Sequence, residues 1–428
     1  MINDTHATLG SNGTRGPIVL SPAARSRHLY VIGQTGTGKS TLLLNLIGQD
    51  LAAGRGVALI DPHGSLAADA LGLIPAARAH ELVYIGFEAA DRARPIGFNV
   101  LEQVPPDMRP VVADGVVAAF HHAWPDSWGP RLEHVLTHAL RALLDAPDTT
   151  LLGISRLLTD AGYRARILAT VADPIVAQFW RGQYEAWPDA FREQAIEPIV
   201  NKIDKVIANP ALRNIVAQPR STIDLRRMMD EGRILIVNLA KGVLGEGASQ
   251  LFGAMLTTAI ATAALSRADI AEDRRRPFHF YADEFHNYAT NGFAVILSEA
   301  RKYGLCLTLA HQYMAQLDTH EQLRAAVLGN AGSLVAFRLG ADDATLIARQ
   351  IQLGYPDPAP SALQELANFK AFTQVLIDGL PSGAIHIVTP PPPAPVNHRV
   401  HRLLTNSRVR FGRDRAAVED KISRFLAP

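Results

Sequence analysis

Cysteine is nearly absent: the 428-residue chain holds one, Cys306. A single thiol makes no internal disulfide and no thiolate zinc site, and its place in the apolar run Leu305–Leu309 predicts plain core packing. Long apolar runs are also missing. Nothing approaches the ~20 uninterrupted apolar residues that cross a bilayer, because the windows at 111–120 and 251–265 are short or carry Thr, Ser, Asp and Gly. The start, Met1–Gly16, lacks the basic and apolar regions of a signal peptide and reads as a frayed leader. A cytoplasmic chain without a transmembrane segment is expected. There is no charge excess either: 42 basic against 41 acidic residues leave a net charge of +1, whereas a protein that coats nucleic acid is usually strongly basic. What remains, 48% hydrophobic and 19% charged residues, is an ordinary globular composition with ample length for a large core.

The patterns then begin with the strand His28–Ile32, a glycine-rich turn, and an amphipathic helix from Lys39 to Ala53 stopped by Gly54 and Gly56. Strands at Val57–Ile60 and Leu82–Ile85 continue the β-α alternation that gives a parallel sheet covered on both faces. From about Pro105 to Asp230 the text is helical, as in Leu132–Leu144 and Ile196–Ile207. Strand signals return at Ile234–Leu239, Phe278–Ala282, Leu305–Leu309 and Leu334–Phe337. Phe372–Ile377 and Ala384–Val388 read as a hairpin on the sheet edge, and Pro390–Pro395 as a stiff polyproline linker before a basic helical tail. The expected layout is a flexible leader (1–27), an α/β core with a mostly parallel sheet (28–104 and 231–389), an inserted all-helical domain (105–230), and a Pro-rich linker with its tail (390–428).

Gly33-Gln-Thr-Gly-Thr-Gly-Lys-Ser40 fits the G-x-x-x-x-G-K-[ST] phosphate loop, with a strand before it and a helix after it. Gly33, Gly36 and Gly38 let backbone N–H groups turn inward beside Thr35, Thr37 and Thr41. The helix N-terminus adds partial positive charge, Lys39 reaches the β- and γ-phosphates, and Ser40 ligates magnesium. ATP and Mg are therefore the expected cofactors. A phosphate loop serves kinases, switches and hydrolases alike, so a second acidic element decides the class. Phe278–Ala282 delivers Asp283 at a strand end, where it can hold Mg, and Glu284, which can polarise an attacking water. Further on, Gln312 at the tip of the Leu305–Leu309 strand suits a γ-phosphate sensor. Arg301 suits a charge-neutralising finger; a turn residue and a solvated helix end are the plain alternatives for these two.

The series His28-Leu-Tyr-Val-Ile-Gly-Gln-Thr-Gly-Thr-Gly-Lys-Ser-Thr41, Ile60-Asp-Pro-His-Gly64, Pro95–Asn99, Trp128–Glu133, Tyr281-Ala-Asp-Glu-Phe285, Glu299–Gly304 and Phe337–Asp343 resembles the FtsK/HerA superfamily of RecA-like ring ATPases. Within it, the chain is most similar to conjugative type IV secretion coupling proteins and their soluble relatives. The resemblance covers most of Leu29–Thr389. It implies a hexameric, DNA-stimulated ATPase whose site uses Lys39, Ser40, Asp283, Glu284, Arg301 and Gln312, with Arg301 acting in a neighbouring subunit and Arg338 as a second finger candidate. It also implies an all-helical domain facing the cargo. A ring accommodates the near-neutral charge, since six copies of one channel-lining Lys or Arg suffice for a phosphate backbone. Family members bound to the membrane carry an anchor ahead of the ATPase; none is seen here, so attachment at the inner membrane needs a partner of the secretion or conjugation apparatus.

Other features carry less. His134 and His138 stand one helical turn apart, but Glu133 precedes the pair instead of following its first member, so packing is expected in place of a zinc site; His121 and His122 are treated likewise. Arg274-Arg-Arg276 reads as a solvated charge run and Lys241–Gly247 as an interface or channel loop. With no base-reading motif, DNA contact would be through the backbone and independent of sequence. A soluble HerA-type helicase, a secretion motor acting on protein, and a nucleotide-dependent scaffold remain the alternatives.

Overall fold

The computed structural model describes residues 6–13, 16–102, 104–290, 292–355, 357 and 359–427, without the side chains of 319 and 320; the rest of the expected leader, 1–5 and 14–15, lies outside them. Two compact units emerge: Met1–Ile85, Leu225–Leu239 and Ala263–Asn406 form one, and Gly86–Asp224, Ala240–Thr262 and Ser407–Pro428 the other.

The first unit is built on an 11-stranded sheet. Its strands are β1 (Ala7–Asn12), β2 (Gly16–Leu20), β3 (Leu29–Ile32), β4 (Gly56–Asp61), β5 (Leu82–Ile85), β6 (Ile234–Asn238), β7 (Phe278–Ala282), β8 (Leu305–His311), β9 (Ser333–Ala336), β10 (Lys370–Gln374) and, beyond the small ribbon of β11 (Leu376–Ile377) with β12 (Leu380–Pro381), β13 (Ile385–Val388). The order is β2-β1-β13-β10-β9-β3-β8-β7-β4-β6-β5. From β9 to β5 every pairing is parallel; from β9 to β2 every pairing is antiparallel. The α/β, mostly parallel reading therefore holds. Its parallel strands are apolar in nearly every position because helices cover both faces: all six residues of β4 and all seven of β8 are buried.

Residues 7–13 and 16–27 are not a flexible leader. β1 pairs with β13, Ala7, Leu9 and Leu20 are fully buried, and the Thr8 backbone exchanges hydrogen bonds of 2.7 and 3.1 Å with the Gln49 side-chain amide. Small polar residues give a weak local strand signal, and pairing on an existing sheet overrides it. For the same reason β10 and β13 do not form the sheet edge; β1 and β2 extend beyond them. The proline run is likewise a strap and not a free spacer. Asn45 Nδ2 donates to the Pro390 and Pro391 carbonyls at 3.3 and 3.0 Å, and the Val396 and Asn397 N–H groups both reach Gly72 O at 2.9 Å.

In the second unit the described residues form no extended strand, only an isolated bridge between Ile96 and Gly412. Its long helices are Arg109–Ala123, Pro130–Asp145 and Asp189–Ala208. It takes in more than the expected insertion. Phe252 meets Phe87 and Phe98 edge to face, with ring centroids 5.8 Å apart in each pair. Val418 and Ile422 of the last helix pack with Leu152 and Ala217. The helix Glu246–Leu265, continued to Asp269, is long and apolar enough to span a bilayer by length and composition. Yet Leu251, Phe252, Met255, Leu256 and Ile260 are buried inside the protein, as in the core helix of a globular domain.

Candidate nucleotide site

β3 lies mid-sheet and runs into the loop 33–38, after which the helix Lys39–Ala52 turns back along the sheet. Gly36 and Gly38 have φ of +77° and +124°, conformations open to glycine without strain. At Gly33 a Cβ would lie 2.5 Å from the Phe337 Cβ, so this position excludes any side chain. Thr37 donates to Gln34 O at 2.7 Å. Lys39 is nearly buried and folds back onto Gly33 O (2.6 Å) and Gln34 O (3.2 Å). Burial lowers its pKa, while Glu284 and Asp283 pull the other way. Ser40 is exposed and Thr41 half-buried in the first helical turn.

Two strands away, β7 leads directly into Asp283 and Glu284, both 6% exposed. The Asp283 N–H donates to Ile60 O at 3.2 Å, which continues the register with β4 and sets Asp283 beside Asp61, the fully buried last residue of β4. Asp61 accepts from the His63 and Ala67 N–H groups at 2.8 and 2.9 Å. Burial first, then the Asp61 and Glu284 charges, push Asp283 up to about 7. Glu284 occupies the left-handed region, φ +43°, a conformation that costs a non-glycine residue about 1 kcal/mol or more and clusters at functional sites.

From β8, the neighbour of both β3 and β7, Gln312 joins the two halves. Its Oε1 accepts from Thr35 Oγ1 at 2.9 Å, and its Nε2 donates to Glu284 Oε1 at 3.0 Å. Gln316 Oε1 fixes this turn by accepting from the Gln312 and Tyr313 N–H groups at 2.9 and 3.2 Å. The other Glu284 oxygen stands 3.5 Å from His286 Nδ1. Under the turn, His311 is fully buried against Tyr30 Oη, and burial holds its pKa down at about 3.

Lys39, Asp283, Glu284 and Gln312 thus converge. Arg301 does not join them: it is exposed on the turn Ala300–Tyr303 that leads into β8, roughly 20 Å along that seven-residue strand from Gln312 at ~3.3 Å per residue. Arg338 sits beside the loop of its own chain. Gln34 N donates to Arg338 O at 2.9 Å, and the guanidinium reaches Gln34 Oε1 (3.4 Å) and Leu366 O (3.1 Å). Sequence reasoning passed over Asp61, His286 and Gln316 as site residues. Asp61 ends a buried strand and could have been found by that rule; the other two depend on turns with no local signature.

The remaining candidates are structural. His138 stacks on Phe179 at 4.1 Å and His134 meets the same ring edge-on at 5.1 Å. Arg275 and Arg276 bind backbone carbonyls, Arg276 at 2.7 Å to both Glu231 O and Gly54 O, so the basic run clamps turns. Cys306 is buried and pushed up to about 11. Among the described residues no group of three or more His, Cys, Asp or Glu side chains is set to hold a metal. A hard cation here would need phosphate oxygens and Ser40 beside Asp283. The glycine-lined loop and the crowded carboxylates fit a magnesium-bound triphosphate.

Residues 277–354 match the profile of the TraM recognition site of TraD and TraG, a stretch that here runs from β7 to the helix after β9. A search of curated sequences gives no significant match. Among solved structures, the bacterial conjugative coupling protein TrwBdeltaN70 superposes with a TM-score of 0.61 at 16% identity, over 90% of this chain and 88% of that one. TrwB in complex with ADP and Mg2+ gives 0.59 at 17% over 90% and 89%. VirB4 of Thermoanaerobacter pseudethanolicus gives 0.56 at 14% over 92% and 98%. A phosphate loop at the centre of a mostly parallel sheet, an Asp-Glu pair two strands away and these matches together give the chain the fold of a RecA-like P-loop ATPase resembling the conjugative coupling proteins.

Proposed function

We propose that this chain is an ATP hydrolase that moves DNA, acting as the coupling ATPase of a conjugative or related type IV transfer apparatus. The observation that carries this reading is Gln312, hydrogen-bonded at once to Thr35 of the phosphate loop and to Glu284. A side chain so placed couples γ-phosphate occupancy to the position of the base, which a hydrolysing motor needs and a passive nucleotide binder does not.

Bound magnesium-ATP supplies the anhydride to be cleaved and the cation that gathers its charge. The loop amides cradle the phosphates. Lys39 leaves the Gly33 and Gln34 carbonyls for the β- and γ-phosphates, and Ser40 and Asp283 hold the cation. Glu284 takes the proton of the attacking water. Asp283, pushed up to about 7 by burial and the neighbouring carboxylates, would be fully ionised beside a bound dication. Arg301, remote from its own loop, completes the site of the next subunit in a ring, proposed to be a hexamer. DNA is held by its backbone, and the ring docks on the cytoplasmic side through a partner of the apparatus. The matches to TraD/TraG and TrwB support the conjugative setting.

The test is steady-state phosphate release with and without single- and double-stranded DNA, for wild type, Lys39→Ala, Glu284→Gln and Arg301→Ala. DNA stimulation in wild type and loss of turnover in all three variants are expected. Adding Glu284→Gln protein, whose Arg301 is intact, should restore turnover to Arg301→Ala sites. Hydrolysis indifferent to DNA at low salt would overturn the DNA reading in favour of a protein substrate.

A further inference from the structure

We infer that Phe369 is the platform on which the nucleoside of the bound nucleotide stacks. The inference rests on the phosphate-loop reading above and deepens it.

The sheet order gives the site two sides. β3, which carries the loop, lies between β8 and β9. The groups that act on the terminal phosphate, Asp283, Glu284 and Gln312, all come from the β8 and β7 side. A triphosphate with its γ end there directs its nucleoside the other way, past Gly38 and Thr41 toward β9 and β10.

Phe369 stands on that side, directly before β10. Its ring lies on the loop, with Cδ1 3.1 Å from where a Cβ on Gly38 would be, yet the residue is 43% exposed. An aromatic ring against a phosphate loop and open to solvent offers a flat apolar face.

The backbone is held there against its preference. Phe369 has φ +64°, strained for a residue with a large side chain. Three hydrogen bonds maintain it: its N–H donates to Thr37 O of the loop at 2.7 Å, and its carbonyl accepts from Thr389 N–H (2.9 Å) and Thr389 Oγ1 (3.0 Å). A turn needing only this backbone would be met more cheaply by glycine, so the ring is what the strain retains. Because every base presents a π-face, stacking tolerates sequence; a benzyl ring has no donor or acceptor with which to tell adenine from guanine.

The test compares binding of ATP, GTP and inorganic tripolyphosphate, each with Mg2+, to wild type, Phe369→Gly and Phe369→Trp. Glycine keeps the left-handed backbone and removes only the ring. The expected result is about tenfold weaker binding of both ATP and GTP by Phe369→Gly, in the range of base–aromatic stacking, with tripolyphosphate unchanged. Phe369→Trp should restore affinity, and its added indole fluorescence should respond to ATP and GTP but not to tripolyphosphate. Equal weakening of tripolyphosphate would make Phe369 a mere support of the loop. Unchanged nucleotide affinity in Phe369→Gly, or an indole blind to ATP, would overturn the platform while leaving the phosphate loop intact. A wild type that binds none of the three ligands would overturn the phosphate-loop reading itself.

Discussion

The helix Lys39–Ala52 connects two buried charge clusters that are resolved in opposite ways. At its last turn Asp50, with no exposed surface, is surrounded by partners. Arg25 reaches it at 2.5 and 2.9 Å, Arg55 at 2.8 Å and Tyr281 Oη at 2.6 Å. Burial disfavours its charge, but Arg25 and the hydrogen bond from Tyr281 more than offset this and hold Asp50 below the usual carboxylate range, while the buried His279 beside it stays neutral. At the first turn, Asp61, Asp283 and Glu284 are pressed together with Lys39 as the nearby cation, and Asp283 is pushed up to about 7. One end is neutralised by the chain itself. The other gathers three carboxylates around one lysine, a crowding that raises Asp283 and supports the proposed nucleotide site at this end.

Removing Asp50 should have the largest effect. Asp50→Ala leaves Arg25 buried without its carboxylate, and loss of one partner of a buried pair costs about 3–5 kcal/mol, measurable by urea unfolding; a loss under about 1 kcal/mol would mean that the two clusters are not different in kind. At the nucleotide site, Glu284→Gln should lower turnover by about 10²–10⁴-fold, the scale of a general base, with a melting temperature no lower than wild type and retained nucleotide binding.

Asp283→Asn sharpens the contrast through pH. The Asp283 pKa is raised in the folded protein, so below its unfolded value the group is neutral in both states and costs nothing. As pH rises from about 4 through 7 the unfolded state ionises first, and folding loses stability on the order of 2–4 kcal/mol at most. The variant should therefore match wild type near pH 4, melt higher above pH 7 without nucleotide, and lose that advantage when Mg2+ and nucleotide bind. Equal pH profiles would remove the proposed strain. Smallest of all, breaking the exposed Lys302–Glu299 pair with Glu299→Ala should leave the melting temperature unchanged, as solvated pairs contribute little.

Much of the nucleotide site was legible because it is written in short, contiguous stretches. Gly33–Ser40 and Phe278–Glu284 each pair a strand signal with the residues it delivers, and Gln312 follows from the strand before it. The asymmetry of the two arginines was not legible. Arg301 and Arg338 both adjoin strands, and only the direction of β8 and the position of β9 show that one is distant from its own loop and the other touches it. The opposite cluster left no trace in the text, since Arg25, Asp50, Arg55 and His279 share no local pattern. Residues 7–13 and 16–27 depart from the expected leader for a related reason: a ribbon with a weak strand signal acquires its strand character from its partner β13, not from its own periodicity.

The sequence by itself determined the α/β alternation, the helical stretch between β5 and β6, the phosphate loop and its acidic partners, because these depend on periodicity and on residues close together in the chain. Only the tertiary structure decided how Asp61, Asp283 and Glu284 crowd one another, how Gln312 bridges the loop to Glu284, how the first strands extend the sheet, and why Phe369 is held in a strained conformation over Gly38. Each of these is set by strand order and register, through contacts whose stabilisation appears only after chain closure has brought distant residues together.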